Sequence, residues 1–430
     1  MILKNFKNIF IQLNFLFLFL ACRLKSPYLC ALSWQISIFF LNLRNRSKYK
    51  KKILVLFKSF GAEDIETLKK NKNNDYKFLY MQRRNVKIIF DYFFSKINHD
   101  LTDDKYFSDD RLVQITKVEY RNFLKNTLQI FNKKSNFLAI VSFNYRYRAE
   151  KELHYICKPL NIKFIVCHKE SLDLNDDHPK TDLYIDMNSK NGKYNGDYMT
   201  VYTENFKNLL VKTSIIEADK IYVIGMPRAD YYYNRSDVSK KHILYLLPSW
   251  IAPKFLDKEF NIKDYSNAVT KLILEFAIKN PNEKIIIKTK VFKKEQDFLN
   301  EAIMKNKLNN VILQKGGNSA NLIKDAKLVI GFQTTALIEA LILRKTIIVP
   351  YFNINNSDKL KRFTLKLENL TYYAYDELSM MNYLNKFLLS NLDPLNVKNE
   401  EIDDIIDHYL GNTDGKSSER LLNFFNKVLN

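Results

Sequence analysis

The stretch VIGFQTTALIEALILRKTIIVPYF, residues 329–352, holds the densest set of groups that could handle a phosphate. An apolar run ends at Gly331, a polar turn follows (Phe332, Gln333, Thr334, Thr335), and a helical pattern begins near Ala336. Where a strand's carboxyl end meets a helix's amino end, free backbone N–H groups and the helix dipole converge, and an anion binds there without a dedicated side chain. Gly331 would let a ligand approach the backbone closely. Thr334 and Thr335 would cap the helix and donate to phosphate oxygens, while Glu339, one turn in, would accept from sugar or ribose hydroxyls. An ordinary threonine-capped turn with Glu339 in solvent fits the same letters.

Three further segments follow apolar runs. Gly225-Met226-Pro227-Arg228-Ala229-Asp230 would hold Arg228 on a rigid loop, where a guanidinium suits a diphosphate or carboxylate; the alternative is an Arg228–Asp230 pair that shapes the turn. His168, directly after IKFIVC, could deprotonate an acceptor hydroxyl, with Glu170 as the rival base or as the group that orients it. Lys288 and Lys290 close the run IIIKTK at 285–290 and could neutralise a phosphate. Asn144 and Arg146, after FLAIVSF, are weaker candidates for contact with an acceptor.

These segments need a scaffold that presents strand ends. Apolar runs begin at Ile53, Phe137, Ile162, Ile221, His242, Lys284, Val311, Leu328 and Thr346, with amphipathic stretches such as 150–160 and 268–279 between them. Alternation of this kind specifies an α/β chain with parallel sheets covered on both faces. Two series, parted near 235–241, predict two Rossmann-like domains facing one cleft: an acceptor-side domain at 51–235 and a nucleotide-donor domain at 236–375. Helices would follow at 376–430. The 430 residues are 46% hydrophobic, which excludes wholesale disorder, and only 9 are glycine, so each retained glycine is informative. The four cysteines, Cys22, Cys30, Cys157 and Cys167, show neither a disulfide framework nor a zinc-ligand spacing. No metal ligand set and no cofactor motif is read.

The formal charge is +21, and residues 1–60 carry +11 of it without a single Asp or Glu. That imbalance sits beside two uncharged runs, 15 residues from Asn8 to Cys22 and 18 from Ser26 to Leu43. A nucleic-acid binder would more often spread such charge over its folded body, so no nucleic-acid partner is expected. Residues 1–50 instead read as a membrane-associating segment, an apolar helical region flanked by cations that suit anionic lipid. Each run is marginal for a span of about 20 residues. Two short helices in the inner leaflet, a single span, or a helical hairpin packed on the protein itself all remain open. A chain cut near Lys51 would be expected to be more soluble.

GMPRAD, ILYLLPSW (243–250), IIIKTK and VIGFQTTALIEALILRKTIIVPYF, in this order, resemble GT-B fold glycosyltransferases. More narrowly, they resemble the CDP-glycerol glycerophosphotransferase-like and surface-carbohydrate biosynthesis proteins of bacteria, over residues 140–352. Lys288-Thr289-Lys290 stands where glycerol-phosphate transferases carry lysine-x-histidine-proline, and Ser249-Trp250-Ile251 where they carry threonine-tryptophan-arginine. The resemblance implies a transferase of surface polysaccharide or capsule assembly on the cytoplasmic face of the cell membrane. It would move a sugar or polyol phosphate from a nucleotide-sugar or CDP-glycerol-like donor to a glycan or lipid-linked acceptor, without a bound metal. Lys288, Thr334, Thr335 and Glu339 would meet the donor, with Arg228 at the domain boundary. A nucleotide-sugar epimerase of the UDP-GlcNAc 2-epimerase kind, or a non-catalytic scaffold, would share the fold.

Overall fold

The structure, a computed structural model, describes residues 2–42, 51–58, 62–95, 97, 101–169, 193–233, 240–248, 260–289, 293–317, 319–352, 361, 364–367, 369–393, 395 and 397–429. The chain divides into two compact units. One gathers the described residues of 1–170, 182–228 and 417–430, the other those of 229–416.

The first unit is built on six parallel strands: β1 (Lys51–Phe57), β2 (Tyr76–Gln82), β3 (Ala139–Ser142), β4 (Lys163–Cys167), β5 (Tyr198–Val201) and β6 (Ile221–Val223). They lie in the order β2-β1-β3-β4-β5-β6. The second unit has β7 (His242–Leu246), β8 (Ile285–Thr289), β9 (Val311–Lys315), β10 (Ala326–Gly331), β11 (Thr346–Pro350) and β12 (Tyr372–Ala374), ordered β12-β11-β10-β7-β8-β9 and again all parallel. Strand order therefore reverses between β1 and β3 in one unit and between β7 and β10 in the other. Such a reversal opens a crevice at the carboxyl ends, because the connections on its two sides leave toward opposite faces. The expected α/β class with two Rossmann-like sheets is what the chain forms.

In the first unit Ile53, Val55, Tyr76, Phe78, Val141 and Ile165 are buried beneath Leu421, Phe424 and Phe425 of the helix Ser417–Leu429. The carboxyl-terminal helix thus completes the core of the amino-terminal sheet. Helix Asn399–Leu410 belongs instead to the second unit, against Thr335–Ile342.

The amino-terminal segment forms two helices, α1 (Ile2–Arg23) and α2 (Pro27–Asn42), turned at Lys25, whose φ is +47°. No described helix is long and apolar enough to cross a membrane. The hairpin packs on its own unit: α2 lies on β2 and on the helix Arg111–Ser135, while α1 lies on the helix Arg84–Phe93. Trp34 is buried, edge-on to Phe131 at 5.4 Å, and Ser33 Oγ donates to Asn14 Oδ1 at 3.1 Å between the two helices. The hairpin-on-protein arrangement is therefore the one adopted. A chain cut near Lys51 would lose the cover that α2 gives Phe131 and β2. An outer stripe of α1 and the turn after it is apolar and exposed, with Ile9, Leu13, Leu16, Leu20 and Leu24 at helical spacing.

The two faces should respond differently. Trp34→Ala should lower stability by about 3–5 kcal/mol, the cost of emptying a buried aromatic site. Leu16→Ser, at 62% exposure, should stay within about 0.5 kcal/mol of the parent. Denaturant midpoints followed by circular dichroism compare them; similar losses in both would mean the hairpin is not packed as described.

Candidate functional site

Register places the second unit's polar groups on one row. Lys288 pairs with Leu246, and Leu246 with Gly331, across β8, β7 and β10 at their carboxyl ends. Gly331 is closely packed: a Cβ there would lie 3.2 Å from both Leu246 Cβ and Leu337 Cδ2, so a side chain would require its neighbours to shift. The chain then turns through Gln333 at φ +47°, held as its Oε1 accepts from Leu365 N at 2.7 Å. Thr334 caps the helix Thr335–Ile342, its hydroxyl accepting from Ala336 N, so its side chain is already turned to the helix start. Thr335 is the first helical residue.

Glu339 is not a solvated helix residue. It is buried, and Tyr232 Oη donates to its Oε2 at 2.6 Å. Lys288 is half-buried, and burial lowers its pKa from the ordinary lysine value. Beside it Thr289 Oγ1 is buried without a hydrogen-bond partner among the described residues, at the carboxyl end of β8. Lys290 lies outside the described residues.

In the first unit Arg228 does not pair with Asp230. Its Nη1 lies 3.4 Å from Asp64 Oδ2 and donates to Tyr202 Oη at 3.0 Å, while its backbone N donates to Asp64 Oδ1 at 3.1 Å. Tyr202 Oη in turn donates to Asp64 Oδ2 at 2.5 Å; burial and the Asp64 carboxylate push that phenol's pKa far up. Asp230 accepts from Asn412 Nδ2 at 2.8 Å. Gly225 has φ +72°, the conformation that turns the chain after β6.

His168 follows β4 and is 1% exposed, with its ring between Tyr145 (5.5 Å) and Phe206 (5.0 Å) and its backbone N donating to Thr200 O. The opening to solvent expected of an acceptor base is absent at this residue. Glu170 lies outside the described residues. Asn144 shapes its turn, Oδ1 accepting from Arg146 N at 2.8 Å. The sequence reading missed Asp64, Tyr202, Tyr232 and a group near the β1/β3 reversal. There Ser142 Oγ donates to Glu150 Oε2, and Arg83 Nε donates to Glu150 Oε1 at 2.6 Å. Burial raises the Glu150 pKa, and Arg83 and Ser142 hold it down. The signal for Glu150 was its place eight residues beyond Ser142, just past a strand end, inside a stretch that otherwise read as a plain helix.

No family model matches the chain, and no curated protein does. Among solved structures, a histidine-to-asparagine variant of the wall teichoic acid polymerase TagF superposes with a TM-score of 0.53 at 15% identity, covering 97% of each chain. The same variant soaked with CDPG gives 0.53 at 15%, over 97% of this chain and 98% of that one. UDP-GlcNAc 2-epimerase from Neisseria meningitidis, bound to UDP-GlcNAc, gives 0.49 at 13%, over 88% of this chain and 100% of that one. The likeness to the polymerase, together with the two parallel sheets, establishes a GT-B-like fold.

The depressed Lys288 pKa makes a signed prediction. If its ammonium meets a ligand phosphate, affinity should fall as pH rises through that lowered pKa, earlier than for an ordinary lysine, near ~10.4. Titrating UDP and CDP from roughly pH 7 to 10 should show this decline, and Lys288→Arg, which keeps its charge, should flatten it. Parallel curves for the two proteins would remove Lys288 from the ligand.

Proposed function

We propose that the chain is a GT-B-type transferase that moves a sugar, or a polyol phosphate, from an activated nucleotide to a glycan or lipid-linked acceptor in surface polysaccharide assembly. The observation that supports this best is the row Lys288–Leu246–Gly331 beside the Thr334-capped helix start, within a fold shared with TagF. A cation, free helix amides and a buried hydroxyl at one strand edge suit a leaving diphosphate, whose developing charge they would stabilise. Glu339, already accepting from Tyr232, would take ribose or sugar hydroxyls with its remaining acceptor capacity. The acceptor would bind the first unit, with Asn144, Arg146 and Arg228 as polar contacts. Its base would be His168, Glu170 orienting or replacing it, once ligand binding uncovers the imidazole. The outward stripe of α1, flanked by exposed Arg23 and Lys25, would rest on anionic lipid at the cytoplasmic face of the membrane.

Thermal-shift screening against UDP-, CDP-, GDP- and CMP-linked compounds should find one that stabilises the protein. Turnover of that compound should require an added acceptor. Interconversion of the free nucleotide sugar would mark an epimerase instead, and no nucleotide response at all would mark a scaffold. His168→Ala should leave donor affinity nearly intact and reduce transfer by about 10²–10⁴; full activity would end that assignment. For the membrane, Leu13→Ser/Leu16→Ser/Leu20→Ser should abolish sedimentation with phosphatidylglycerol vesicles, and retained sedimentation would rule out the α1 stripe.

A further inference from the structure

A cavity of about 650 Å³ opens in the first unit at the edge of the sheet opposite to the strand ends described above. Its walls come from segments that precede strands: Lys158 ahead of β4, Lys193 and Asn195 ahead of β5, Ile216 and Lys220 ahead of β6. These strands run parallel, so all three segments mark amino ends. Asn144, His168 and Arg228 instead follow β3, β4 and β6. The five residues of β4 alone put about 16 Å between the two edges, at ~3.3 Å each. The cavity is therefore separate from the crevice in which transfer would occur.

His154 lines this cavity although it is only 6% exposed. Its ring is held 4.7 Å from Phe164 and 4.8 Å from Tyr194, edge-on to the latter. Burial and nearby Lys151 pull its pKa down to about 3, so the imidazole is neutral. Nδ1 accepts from Asn195 N at 3.2 Å, which puts the single proton on Nε2. No described residue accepts from Nε2, so a rigid, buried donor is left for whatever enters. Asn195 Nδ2 donates to Tyr155 Oη at 3.1 Å, fixing the amide with its oxygen still able to accept from a hydroxyl. Lys158, Lys193 and Lys220 stand around these groups with one lining carboxylate, Glu217, which pairs with Lys220 at 2.5 Å. Three lysines against one glutamate leave a net +2, the match for a phosphate monoester of about −1.5 to −2. A bare phosphate ion, the bulk of roughly two or three waters at ~30 Å³ each, would fill little of the space. The volume lies in the range of organic-ligand sites, and Val211 and Ile216 give it an apolar wall. We propose that this cavity binds a sugar phosphate, its phosphate among the lysines and its hydroxyls on His154 Nε2 and Asn195 Oδ1. The site stands whether or not the chain is a transferase.

The test titrates the full chain calorimetrically with glucose 6-phosphate, inorganic phosphate and glucose. Glucose 6-phosphate should bind more tightly than either of the others. His154→Phe, which keeps a ring against Phe164 and Tyr194, should weaken it about 3- to 10-fold, the scale of one neutral hydrogen bond. That change also strands Asn195 N, so Lys158→Gln/Lys193→Gln serves as the variant at exposed positions that leaves the fold alone. It should weaken glucose 6-phosphate about 5- to 50-fold. Lys271→Gln, on the second unit and 75% exposed at its side chain, should change nothing. Absence of glucose 6-phosphate binding, or parental affinity in the double variant, would overturn the site. An equal loss in Lys271→Gln would reduce it to unspecific surface charge, and inorganic phosphate binding as tightly would remove the sugar. UDP and CDP affinity should be the same in the parent and the double variant; a parallel loss would defeat its separation from the donor site. If the parent binds no nucleotide, the transferase reading fails while a lysine-dependent glucose 6-phosphate site still stands.

Discussion

The parallel sheet is the constraint on which the rest depends. A parallel strand must be reached by a crossover, so each strand's carboxyl end opens into a connection that leaves the sheet plane. Both sheets are parallel throughout, and the inner strands β1, β3, β7 and β10 are buried along most of their length. Polar chemistry has no place on such strands and concentrates where they end. Arg83, Ser142, His168 and Gly331 each end a strand or follow one directly, and Lys288 is the last residue but one of β8. The pairing register then decides which of them meet: Leu246 joins Lys288 to Gly331, although 43 residues of sequence separate those two.

The charges at these edges are organised for position more than for stability. Asp64 and Glu150 are both buried, and each holds an arginine through a hydrogen bond while a hydroxyl satisfies it further, Tyr202 for Asp64 and Ser142 for Glu150. Desolvating a carboxylate costs several kcal/mol, which its partner offsets only when the geometry is good, so replacing such a pair with apolar residues is often neutral or favourable. What the pairs supply is a fixed guanidinium. Arg228 and Arg83 would otherwise carry roughly 2 kcal/mol of rotamer entropy each into any encounter with an anion. Burial shifts Lys288 toward losing its proton, and a bound anion would shift it back toward the charged form.

Much of this was legible in the sequence. The apolar runs at 53–57, 162–167, 242–247, 328–330 and 346–349 fall on β1, β4, β7, β10 and β11, because a strand buried on both faces needs an unbroken apolar run. β2 was not legible: YKFLYMQ mixes lysine and aromatics, as suits an edge strand, and its cover is α2, more than thirty residues away. β5 (YMTV) and β12 (YYA) are too short to carry a period. The segment 150–160, read as one helix, breaks into Arg148–Lys151, Leu153–Cys157 and a 3-10 turn, placing buried Glu150 and Glu152 against Arg83 and Arg121. Side-chain partners 67 or 31 residues apart leave no local pattern. Gly331 stands out by the scarcity of glycine, and the close Cβ contacts with Leu246 and Leu337 give it a packing reason that no local pattern carries.

The hairpin shows why composition could not choose among its three readings. A helix apolar on every side is specified equally well by a protein core and by lipid, since both reward the same transfer from water. The polar exceptions break the tie. Asn14 and Ser33 bond each other between α1 and α2, and Asn85 Nδ2 donates to Ser37 Oγ at 3.2 Å, tying α2 to the start of the helix Arg84–Phe93. Two isolated helices in a bilayer would have little use for polar groups matched to a distant segment; a hairpin seated on a folded unit requires that match. The inner face is thereby committed to the protein, and Leu13, Leu16 and Leu20 remain as apolar surface that the unit's own packing does not cover. A contiguous stripe of that kind on a structure otherwise dense in lysine is the surface expected of an interaction face.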